Sequence, residues 1–141
     1  MNETILSKPD FTRLQSMVMA LLDKSDSSVF YLNRLNMTIK QARLVDSKKI
    51  STDYVAMNSV VEVIFSKTGK SRVFKLVYPE DVSLRNINVS VLSPLGCALL
   101  GSKKGQTISV QAPEGIQELK IKDILYHPEA QWRKFDVTSI P

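Results

Sequence analysis

The stretch from Val89 to Pro128 constrains the fold most, because its hydrophobic period changes from that of a strand to that of a helix and back. Val89 and Val91 share one face of an extended run. Ser93-Pro94 then opens a helix. A serine hydroxyl can accept from the free amides of a first turn, and proline lacks only a donor that is unused there. Leu95, Ala98 and Leu99 recur at i, i+3 and i+4 and make one apolar face, with Gly101 and Gly105 bracketing the exit. Ile108 and Val110 alternate with polar residues, Pro113-Glu114-Gly115 turns the chain, and Leu119 and Ile121 alternate again. These residues predict a strand–helix–hairpin unit. The rest of the chain must complete its sheet or attach to it.

A chain of 141 residues holds one ordinary domain, or a small domain with an appendage, and 43% hydrophobic residues can form a real core. No apolar run approaches the roughly 20 residues of a membrane-spanning helix. The start, MNETILSKPD, lacks the basic-then-apolar order of a signal peptide. A single cysteine, Cys97, excludes an internal disulfide framework and a multi-cysteine zinc site. A cytoplasmic protein without cofactor, metal or membrane association is expected. The net charge of +5 is spread over short pairs, Lys48-Lys49, Lys103-Lys104 and Arg133-Lys134. That pattern fits a solvated surface better than a concentrated nucleic-acid-binding face.

Upstream, residues 1–9 read as a polar lead-in. Asp10 stands as an N-cap before the helical stripe Phe11, Leu14, Met17, Val18, Leu21 and Leu22. The polar run Asp23–Ser28 turns the chain. A second helix is predicted over Val29–Leu44, with Leu32, Leu35, Ile39 and Ala42 as its seam. The two helices form an antiparallel hairpin whose first arm, about 15 residues at about 1.5 Å each, reaches about 22 Å. After the connector Val45–Val55, Val61, Val63 and Phe65 alternate, Lys67–Lys70 turns, and Phe74, Leu76 and Tyr78 alternate back until Pro79 ends the strand. A loop is expected over Val82–Asn88. In the tail after Pro128, Trp132 and Phe135 suggest packing against something. The order of elements gives an α+β fold: an N-terminal helical hairpin over residues 1–50, then an antiparallel sheet with one helix over 51–141.

The run SVLSPLGCALLGSKKGQTISVQAPEGIQELKIKDILYHPEA resembles the C-terminal domain of the Gre transcription elongation factors, and more closely the Rnk (regulator of nucleoside diphosphate kinase) family that shares this domain. Val55-Ala56-Met57-Asn58-Ser59 and Leu76-Val77-Tyr78-Pro79 extend the resemblance to about residues 50–130. It implies an FKBP-like sheet domain preceded by a short coiled coil, and binding to RNA polymerase at the mouth of its secondary channel. Nucleic acid would be met only through the polymerase. In Gre factors a long coiled coil carries two acidic residues down the channel to help hold a magnesium ion for RNA cleavage. Rnk-type proteins have a shorter hairpin, which implies occupancy and competition with Gre factors without catalysis.

Asp23 and Asp26 sit at the expected hairpin tip and resemble the Gre acidic pair in spacing. Two carboxylates can supply oxygen ligands to magnesium. Capping at a helix boundary explains the same residues, and the short arm and the apolar Val29-Phe30-Tyr31 weigh against delivery to a deep active site. Leu92-Ser93-Pro94 matches a Gre bend that carries Asp-Ser-Pro and contacts the polymerase rim, with Leu92 replacing the acid. Cys97 reads as a core residue with no neighbour in sequence to activate it. His127 is expected at the surface. The rival functions are transcript cleavage through Asp23 and Asp26, an FKBP-like prolyl isomerase using Phe65, Phe74, Tyr78 and Tyr126, and a basic nucleic-acid-binding module.

Overall fold

The computed structural model describes residues 4–24, 29–46, 49–112 and 115–128. The first described element is a short strand β1 (Ile5–Ser7), followed without a break by helix α1 (Lys8–Lys24). Ser7, not Asp10, caps that helix: the Asp10 amide donates to Ser7 Oγ at 3.3 Å. Asp10 therefore sits one turn-position further in, where a carboxylate still favours the positive helix end. Helix α2 (Val29–Gln41) stops short of the expected Leu44, and Arg43–Val45 becomes strand β2. β1 and β2 pair in parallel, Ile5 with Arg43 and Ser7 with Val45. The expected lead-in and the end of the second helix thus form a two-stranded clasp at the base of the helical hairpin.

The sheet unit follows. β3 (Val60–Phe65) and β4 (Ser71–Val77) form the expected antiparallel hairpin. A 3-10 helix (Pro79–Leu84), where the sequence suggested a loop from Val82, leads to β5 (Asn88–Ser90). Helix α3 (Pro94–Leu99), β6 (Thr107–Ala112) and the long β7 (Gly115–Tyr126) complete the unit. The strand order is β5-β4-β3-β7-β6. β5 runs parallel to β4, so the sheet is mixed rather than wholly antiparallel. Alternation in sequence specifies which face is apolar but not strand direction, so the parallel β4–β5 pair departs from the antiparallel sheet it suggests.

One apolar core joins both parts. Leu14 and Val18 of α1 and Leu35 and Ile39 of α2 are fully buried in the same cluster as Val61, Leu76, Leu99 and Ile121. Each such side chain contributes about 1.5–3 kcal/mol by burial. Trp132 and Phe135 lie outside the described residues.

Candidate functional site

The bend between β5 and α3 is held by two serine hydroxyls bonded to its own backbone and by one bond to β4. Ser93 Oγ donates to Ser90 O at 2.7 Å and accepts from Gly96 N at 3.0 Å. Leu92 N donates to Ser90 Oγ at 3.0 Å, and Val91 N donates to Val77 O at 2.9 Å. A Cβ on Gly96 would lie 2.7 Å from Ser90 C and 2.9 Å from Val91 Cα, and nearer still to Ser90 O. Only glycine permits that approach. Ser93 is therefore occupied in holding the corner, while Leu92, Pro94 and Leu95 stay half-exposed on it.

A second cluster lies where the helical hairpin meets the sheet. The Arg13 guanidinium carbon lies 3.6 Å from the centroid of the Tyr78 ring. Its Nη2 pairs with Glu80 Oε2 at 2.9 Å. Stacking of this kind contributes about 0.5–2 kcal/mol, depending on desolvation. Hydrogen bonding to its own backbone, with Arg13 adding to it, holds the Glu80 carboxyl below the usual range. Burial, and after it the Asp10 charge, pushes the Tyr78 phenol well above its ordinary value. The Tyr78 hydroxyl has no hydrogen-bond partner among the described residues. Tyr78 lies in the expected strand-ending position, but no signal in the sequence pointed to Arg13 as its partner.

Of the expected site residues, the structure places Asp23 in the last turn of α1, with its side chain outside the description, and Asp26 lies outside the described residues. Cys97 is buried, and burial raises its thiol pKa, with Thr38 and Arg34 offsetting part of the shift. His127 is 3% exposed, so the surface position expected for it is wrong. Of the four aromatics considered for a prolyl-isomerase pocket, Phe65 packs against the core and Tyr126 is 39% exposed. Phe74 and Tyr78 are in the core, and Phe65 alone among them lines either of two surface grooves, of about 430 and 280 Å³. Among the described residues, no group of three or more His, Cys, Asp or Glu is placed to hold a metal ion. No described helix is long and apolar enough to cross a membrane.

A mixed sheet with one short helix, sharing its core with a helical hairpin, is the architecture of a known class. Residues 50–126 match the family model described as "Transcription elongation factor, GreA/GreB, C-term", and the chain belongs to that family. It is 35% identical over 97 residues to the regulator of nucleoside diphosphate kinase of Escherichia coli K12, covering 68% of this chain and 71% of that protein. It is 30% identical over 97 residues to the elongation factor GreA of Syntrophus aciditrophicus, covering 69% of this chain and 60% of that protein. The solved structure of a GreA/GreB elongation factor from Nitrosomonas europaea superposes with a TM-score of 0.73 at 28% identity, over 89% of this chain and all of that one. Homology to both kinds of protein implies regulation of the transcription-elongation-factor type.

Proposed function

We propose that this chain is a non-enzymatic regulator that binds RNA polymerase at the rim of the secondary channel and competes there with Gre factors. The sheet unit is the FKBP-like grip, docking through the corner Leu92-Ser93-Pro94, and α1 with α2 is a short coiled-coil finger. The observation that carries the proposal is the length of the finger. α1 has 17 residues and α2 has 13, so the longer arm spans about 26 Å. Its base is also embedded in the core through Leu14 and Leu35, which shortens the free part further. A finger of that size blocks an entrance and leaves Asp23 short of a deep active site. The protein acts by occupancy, needs no cofactor, and meets nucleic acid only through the polymerase complex in the cytoplasm.

Pull-down with core RNA polymerase tests this. The intact chain is expected to bind in the micromolar range or tighter, with binding weakened by Pro94→Ala and Ser93→Ala. Absence of binding at micromolar protein would overturn it.

A further inference from the structure

The 3-10 helix Pro79–Leu84 is braced from two sides. At its start, Arg13 stacks on Tyr78 and pairs with Glu80, tying it to the finger. At its other side, Asn88 Nδ2 donates to Asp81 O at 2.9 Å, tying it to β5, and Asn88 N donates to Arg85 O at 3.1 Å. A segment held this firmly displays two apolar side chains to solvent, Val82 at 41% and Leu84 at 70% exposure. Apolar side chains on a rigid, otherwise polar segment have the character of interface anchors: they lose little entropy on docking and gain burial.

The position of the segment indicates which partner it meets. β5 is the edge strand of the sheet, and it connects the 3-10 helix on one side to the Leu92–Pro94 corner on the other. Both features therefore belong to one edge of the grip. The opposite edge, at β6, borders a groove lined in part by Arg34, Thr38, Thr107 and Ser109, and among the described residues β6 carries no exposed large apolar side chain. Glu80 and Asp81 precede the anchors, Glu80 paired with Arg13, and Arg85 follows them, so the segment carries no net positive charge, which disfavours a phosphate backbone or an anionic membrane as the occupant. We infer that Val82 and Leu84 are a second contact of the grip with RNA polymerase, continuous with the Leu92–Pro94 corner. The inference extends the proposed polymerase binding and rests on it.

The test is the affinity of the full chain for core RNA polymerase, measured for wild type, Leu84→Asp, the double variant Val82→Asp/Leu84→Asp, and Ile116→Asp. Ile116, 69% exposed at the other end of the sheet, is the control. Exposed positions of this kind change stability little, so circular dichroism is expected to match wild type in all three variants. The expected result is at least tenfold weaker binding for Leu84→Asp, a further loss for the double variant, and a change under twofold for Ile116→Asp. Wild-type binding with Leu84→Asp indistinguishable from Ile116→Asp would overturn the inference and leave the proposed function standing. Absence of wild-type binding would overturn both. Self-association of the chain that Leu84→Asp abolishes, with polymerase affinity unchanged, would assign the anchors to a second copy and overturn the inference.

Discussion

Asp10 and Met57, 47 residues apart, are joined by a hydrogen bond of 3.2 Å from the Met57 amide to Asp10 Oδ2. The bond ties the first turn of the finger to the turn that launches β3. That turn contains Asn58 in the left-handed region, at φ +70°, and is closed by Ala56 N donating to Ser59 Oγ at 3.0 Å. Asp10 thus serves two parts of the chain, as a negative charge at a helix start and as an acceptor for a distant loop. Asp10→Ala is expected to lower unfolding free energy by about 1.5–3 kcal/mol, the range for a hydrogen bond to a charged group. Urea unfolding measures it. A change under about 0.5 kcal/mol would show that the bond does not hold the two parts together.

The corner at Gly96 makes a sharper prediction. Gly96→Ala drives a methyl group into the Ser90 carbonyl and must displace backbone, at a cost of roughly 3 kcal/mol. Gly69→Ala meets nothing within 4 Å and pays only for its φ of +73°, about 1 kcal/mol. Equal losses in denaturant melts of the two variants would contradict the packing described for the bend.

Tyr78 carries a buried hydroxyl without a partner among the described residues. Tyr78→Phe keeps the ring under Arg13 and removes that hydroxyl. Stability is expected to be unchanged or higher by about 1 kcal/mol. A loss above 1 kcal/mol in the same unfolding assay would reveal a bonded partner for the phenol.

Three exposed carboxylates have depressed pKa values. Lys8 bonds to Asp46, the backbone and then Arg13 act on Glu80, and Lys104 bonds to Asp123. A folded-state pKa below the unfolded value means stability that is present above the unfolded pKa and lost as pH falls through the folded one. Melting temperature is therefore expected to hold from pH 7 to about 5 and to fall below about 4. Because the pairs are exposed, salt should reduce the effect. A melting temperature flat down to pH 3 would contradict the assignment of these pairs.

Cys97 is 6% exposed and its thiol is shifted toward the neutral form. Thiol reagents at pH 7.5 are expected to label the native protein at least tenfold more slowly than the denatured one. Equal rates would show that the helix carrying it opens freely.

The apolar faces and the corner were legible from sequence, and several connections were not. Val61, Val63, Phe74 and Leu76 alternate strongly enough to define a hairpin, and Ser93-Pro94 announces a helix start by its chemistry. By contrast Ile5–Ser7 and Arg43–Val45 are three residues each, too short to carry a period, and their pairing depends on where the hairpin brings the two ends. The direction of β5 is set by the 3-10 crossover, which alternation cannot encode. Asp10 is not the cap its position suggests, because Ser7 offers an equal one three residues earlier, and the fold uses the carboxylate for Met57 instead. Arg13, Tyr78 and Glu80 meet only through tertiary structure, so no local pattern announced them.

The central claim is occupancy without catalysis, and transcript cleavage in stalled elongation complexes tests it most directly. With a cleavage-active Gre factor held at a fixed concentration, increasing amounts of this chain are expected to suppress cleavage progressively, and the chain alone is expected to stimulate none. Cleavage stimulated by the chain alone and lost in Asp23→Ala, or Gre-dependent cleavage unaffected by a large excess of the chain, would contradict it.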